Sequence, residues 1–169
     1  MNTFMMKMMN AKRAIQMAAM LAVTAVLLVS CTNERTTHYR MTFSPDLIET
    51  CDVTVIYKGH NGVEVTEGVT DTLWEKSINN DTLPLLFGLD YKIQPKQGLK
   101  PHKEQLDLKA SCFIQLSLDK DILFTNTSDS LIYCLVPAER LDSAIQADAA
   151  KHPGPFHFLA KKDGVWDME

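Results

Sequence analysis

The sequence predicts a mainly β protein: an antiparallel β-sandwich, immunoglobulin-like in kind, with one helix added near residues 138–150. Three observations carry that prediction. Apolar and polar residues alternate with a period of two through most of the chain after residue 38. Turn-forming clusters such as Ser44-Pro45-Asp46 and Asn79-Asn80-Asp81 punctuate the alternation at short intervals. One window, Ala138 to Ala150, is instead rich in helix formers.

Taken in order, Tyr39, Met41 and Phe43 alternate with Arg40 and Thr42, as in a half-buried strand that ends at Ser44-Pro45-Asp46. Cys51 to Lys58 places Val53, Val55 and Tyr57 on one face. Val63 to Val69 follows after Gly59-His60-Asn61-Gly62. A two-residue Asn61-Gly62 turn would set Tyr57 opposite Thr66, apolar against polar. A His60-Asn61-Gly62 loop sets Tyr57 opposite Val65 and Val53 opposite Val69, and puts Gly62 where a left-handed residue is wanted. The second register is expected.

Leu73 to Ile78 carries Trp74, Lys76 and Ile78 on one side, with a turn expected at Asn79-Asn80-Asp81. Leu85, Phe87, Leu89, Tyr91 and Ile93 mark a clear strand closed by Pro95. Leu106 to Leu118 forms the longest stripe, polar at most intervening positions with Phe113 the exception. A strand usually runs about 5–6 residues, so a break or bulge near Ala110-Ser111 is expected to divide this stripe in two. Ile122-Leu123-Phe124 offers a short strand within a polar segment, and Leu131 to Val136, apolar on both faces, reads as a central strand. Pro137 suits a first helical turn, and Leu141, Ala144, Ile145 and Ala149 give the helix its apolar side. After His152-Pro153-Gly154-Pro155, the residues Phe156, Phe158 and Ala160 make a last strand, and Asp163-Gly164 turns the chain toward Val165 and Trp166.

Before all of this stands a different kind of segment. Lys7, Lys12 and Arg13 open it, Ala14 to Val29 is almost wholly apolar, and small Ser30 precedes Cys31. A basic start, an apolar run and a small residue at the cut describe a secretory signal. The apolar run is short for a membrane span, which takes about 20 residues. Leu28-Val29-Ser30-Cys31 resembles the lipobox of bacterial lipoproteins. The resemblance implies cleavage between Ser30 and Cys31, and lipidation of Cys31 by a diacylglyceryl thioether and an N-acyl chain. It covers the first thirty-one residues and implies nothing about the rest. Thr32 is not the aspartate that retains lipoproteins at the inner membrane in enterobacteria-like systems, so an outer-membrane destination is expected. Some Bacteroidota envelope lipoproteins carry an acidic cluster after the cysteine that sends them to the surface. Here Glu34 stands alone beside Arg35, so the periplasmic and surface faces both stay open. The expected organisation is a signal peptide at 1–30, a lipidated flexible tether at 31–38, and one sandwich domain at 39–169.

Removing Met1–Ser30 takes away three cations and no acid, so the formal charge moves from −4 to −7. That excludes a nucleic-acid partner, which calls for a basic stripe, and excludes electrostatic adhesion to anionic lipid. The acyl chains hold the membrane. Beyond Cys31 lie Cys51, Cys112 and Cys134. An oxidising compartment permits one disulfide, for which Cys112 and Cys134 are the first pair to test; three buried thiols is the other reading. The five histidines form no metal-ligand spacing, and Asp119, Asp121, Asn126 and Asp129 lack the spacing and glycine of a calcium loop. No metal or cofactor is expected, and no nucleophile elbow or triad is present. Trp74, Tyr57 and Tyr91 suit a core, whereas Trp166, in a polar tail, is a candidate ligand contact. The expected function is a membrane-anchored, non-enzymatic binding or assembly module with a glycan or an envelope protein as partner. The alternative is a small envelope hydrolase acting on glycan or peptide, whose catalytic groups meet only in three dimensions.

Overall fold

The computed structural model describes residues 34–151 and 156–168, and the side chains of all of these but 129, 130, 132, 134, 150 and 151. The expected cleavage and lipidation site, Ser30 and Cys31, lies outside the described residues.

Two antiparallel sheets face each other, as the sequence predicts. One has the order β4-β1-β6-β7, the other β3-β2-β5-β8-β9. In chain order the strands are β1 (Arg35–Phe43), β2 (Cys51–Lys58), β3 (Glu64–Val69), β4 (Leu73–Asn80), β5 (Leu85–Pro95), β6 (Gln105–Leu118), β7 (Asp121–Pro137), β8 (Phe156–Lys161) and β9 (Gly164–Met168). Helix α1 (Pro45–Thr50) links β1 to β2, and α2 (Leu141–Lys151) follows a 3-10 turn at Ala138–Arg140. Here β1 lies between two strands, whereas the first strand of an immunoglobulin sheet lies at an edge. The immunoglobulin comparison therefore holds for the sandwich and not for strand order. Among the described residues no helix is long and apolar enough to cross a membrane.

The core is the sum of the inward-facing alternate positions. Tyr39, Met41 and Phe43 of β1, Val53, Val55 and Tyr57 of β2, Phe87 and Leu89 of β5, and Leu108, Ile114 and Leu116 of β6 are all buried. Aromatic contacts tie the layers together. Tyr39 meets Tyr57 at 5.6 Å between ring centroids, and Phe124 of β7 meets Phe158 of β8 at 4.6 Å. Helix α2 packs Leu141 and Ile145 inward and rests against β5 and β7.

The β2–β3 register is the expected one: Tyr57 pairs with Val65 and Val53 with Val69. Gly62 takes φ 72°, and Asn61 shares the left-handed region at φ 59°. Several boundaries differ from the sequence reading; among them Asn79-Asn80, expected in a turn, are the paired end of β4. First, β1 begins at Arg35, so residues 35–38 of the expected tether are strand, with Arg35 paired to Asn80 on one side and Leu118 on the other. Second, Ser44-Pro45-Asp46 opens a short helix rather than a plain turn. Its signal is Pro at the first helical position followed by an acid. Third, β6 is one strand. The expected irregularity falls between Ala110 and Ser111, where Ala110 faces Leu131 and Ser111 faces Asp129, so β7 absorbs the extra residue as a bulge. Fourth, β7 is one 17-residue strand at the sheet edge, not a short strand plus a central one. Helix α2 packs against this strand.

Candidate functional site

The outward residues of the four-stranded sheet form rows across β4, β1, β6 and β7. One row runs Glu75, Arg40, Phe113, Thr127, and the next runs Ser77, His38, Gln115, Thr125. Strand alternation places them there: Met41, Cys112 and Ile114 point into the core, so Arg40 and Phe113 point out. Within the first row Arg40 Nε donates to the Glu75 carboxylate, and the guanidinium carbon lies 5.7 Å from the Phe113 ring centroid. Within the second, His38 Nδ1 and Ser77 Oγ are 2.8 Å apart. The two rows line a shallow groove of about 330 Å³ that includes His38, Arg40, Glu75, Ser77, Phe113 and Gln115. The Phe113 ring has the Arg40 guanidinium over it and a carboxylate and an amide at its rim, a mixed apolar and polar lining that suits a polyhydroxylated ligand. Phe113 breaks the polar pattern of the longest stripe, which is the sequence signal for this groove. Its partner Arg40 is an ordinary polar alternation until β1 and β6 are paired.

The remaining aromatics go elsewhere. Trp74 and Tyr57 are core residues, and both donate to one carboxylate: Tyr57 Oη at 2.6 Å and Trp74 Nε1 at 3.1 Å from Glu67. Lys76 Nζ adds an ion pair to Glu67 at 2.8 Å. This cluster joins the edge strands of the two sheets, β3 and β4. Lys76 and Tyr57 hold the Glu67 carboxyl below its ordinary value, whereas a carboxylic acid that protonates a leaving group needs a raised one. Tyr39, whose hydroxyl donates to Lys58 O at 2.8 Å, is pushed well above the ordinary tyrosine value by burial. Tyr91 donates to buried Asp148 at 3.1 Å. Trp166 is 52% exposed on β9, opposite Leu159, on the other sheet. The fold does not bring it to the Phe113 groove.

Cys51 and Cys112 are buried, and burial raises the Cys51 thiol above its ordinary value. Cys112 faces Ser128, whereas Cys134 follows Tyr133, the partner of Leu108. At about 3.4 Å of strand per residue, that spacing puts their Cα atoms well past the roughly 7 Å a disulfide spans. A Cys112–Cys134 bridge, the first pair to test, thus has no place on this ladder. The Cys134 side chain lies outside the described ones. Among the described residues no three His, Cys, Asp or Glu side chains converge as metal ligands. Asp121 and Asn126 stand at separate rungs of β7. No family model, curated protein or solved structure matches this chain.

Proposed function

We propose that the mature chain is a lipid-anchored, non-enzymatic binding module of the cell envelope, and that its ligand is a glycan read by the Phe113–Arg40 groove. The observation that carries this reading is the Phe113 ring with the Arg40 guanidinium over it, set among the polar side chains of two rows of the sheet face. The lipobox-like Leu28-Val29-Ser30-Cys31 supports the anchor. A formal charge of −7 after loss of Met1–Ser30 favours a neutral ligand over a polyanion.

The test is binding of the lipidated protein in detergent micelles to envelope oligosaccharides, followed by calorimetry. Phe113→Ala should weaken binding by about two- to tenfold, since packing on an aromatic contributes about 0.5–1.5 kcal/mol. Arg40→Ala should act in the same direction, and both variants should keep the wild-type melting temperature within a few degrees because both side chains face outward. Equal affinity in the wild type and both variants, or capture of an envelope protein with no oligosaccharide bound, would sink the glycan reading.

A further inference from the structure

Six features of the sandwich meet at one end. Arg35 opens β1 and pairs with Asn80 at the end of β4 and with Leu118 at the end of β6. Leu118 faces Asp121, so the β6–β7 turn is there too. The β2–β3 turn is fixed to the same place, because His60 Nδ1 lies 3.0 Å from Asn79 O and Asn61 N donates to Asn80 Oδ1 at 3.2 Å. Gly62 in that turn lies against Leu86. Leu86 pairs with Leu159 and Leu159 with Trp166, which brings in the start of β5 and the β8–β9 turn.

This end is also where exposed apolar side chains gather. Of the large hydrophobic residues exposed among the described ones, Val63 (62%), Ile122 (63%), Leu123 (47%) and Trp166 (52%) belong to it. They come from three separate turns and their flanks, spread from the β3 edge to the β9 edge of the five-stranded sheet, so no single stretch of sequence displays the set. Its charges nearly balance: Arg35, Lys120, Lys161 and Lys162 stand with Glu34, Asp81, Asp119, Asp121 and Asp163. Cys31 precedes Glu34 by three residues, a span of at most about 11 Å when extended.

We infer that this end is a membrane seat: Val63, Ile122, Leu123 and Trp166 enter the interfacial layer of the bilayer that holds the acyl chains of Cys31. The inference rests on the lipid-anchor reading above. A tether this short keeps the near end of the domain at the lipid surface, and a tryptophan with aliphatic neighbours is suited to that layer. Without an excess of cations the seat has no attraction to anionic lipid. It also fixes the groove's height. Arg40 lies five residues along β1 from Arg35, about 17 Å above the surface at strand rise, on a face open to the side.

The experiment uses the full-length lipidated protein in vesicles of phosphatidylcholine and phosphatidylethanolamine, with and without brominated acyl chains, and its intact mass is taken on the same sample. The Trp166 signal is the difference between the wild-type chain and Trp166→Phe. Brominated lipid should quench that signal and leave the Trp74 remainder unchanged. Acrylamide should quench Trp166 several-fold less in vesicles than in the soluble Cys31→Ser form. A chain bearing Val63→Ser, Ile122→Ser and Leu123→Ser should lose most of the bromine effect. A mass without acyl chains overturns both the anchor and the seat. Acyl chains with no bromine effect overturn the seat alone; Trp166 shielded from acrylamide in that case assigns the surface to a protein partner or a second copy.

Discussion

Glu67 sits at an inward position of an edge strand, between Val65 and Val69, where a period-two pattern calls for an apolar residue. It is tolerated because Tyr57, Trp74 and Lys76 all donate to it, so its charge is not left unpaired in a half-buried place. The sequence shows the anomaly, a carboxylate breaking an apolar face, but not the donors, which come from two other strands. Its folded value lies below the ordinary 4.5, chiefly through Lys76 and Tyr57. Asp46 lies below its ordinary 3.8, held by the Asp107 N–H and by Lys103. A depressed carboxyl contributes stability that is fully present above its ordinary value and is lost as pH falls through the lowered one. Stability should therefore decline from just above pH 4.5 downward. Glu67→Gln should cost about 1–3 kcal/mol at neutral pH and flatten the part of the acid limb due to this residue. Urea midpoints of the two proteins between neutral and acid pH check this; parallel acid limbs would contradict it.

At the scale of elements, alternation fixes each strand's faces, while close approach fixes where strands can pair. Gly88 of β5 lies opposite His157 of β8, and a Cβ there would overlap Phe156 O and His157 Cδ2. Both backbone and ring would have to give way, a strain of about 1–3 kcal/mol. Gly88→Ala should therefore lower stability by that amount. It should also speed amide exchange in β8 and β9, which hang on the sheet through β5, while leaving β1 and β6 protected; uniform exchange across both sheets would tell against it. The β2–β3 register was legible because only one loop length keeps Tyr57 and Val53 against valines. The extent of β7 was not, because Thr125 to Ser130 carries the polar residues of a loop. Those positions are strand because the continuous β6 partner supplies a ladder along the whole segment.

For the molecule as a whole, the anchor is the claim with the sharpest readout. Full-length protein expressed in a bacterial host should reach the membrane fraction with a mass beginning at Cys31 plus acyl chains, and Cys31→Ser should lose both the chains and the membrane association. An uncleaved or unmodified product would remove the anchor.

Local patterns were enough for the faces of most strands, the helix after Pro137 and the sandwich class. Each of these depends on residues close together in the chain, where side-chain period and turn chemistry act directly. Strand order, the edge position of β7, the meeting of Arg40 with Phe113 and the gathering of Val63, Ile122, Leu123 and Trp166 at one end were decided only by the tertiary structure. These depend on which strands become neighbours. That choice is settled by the joint burial of two sheet faces, to which residues far apart in sequence contribute together and no single stretch contributes enough to be read alone.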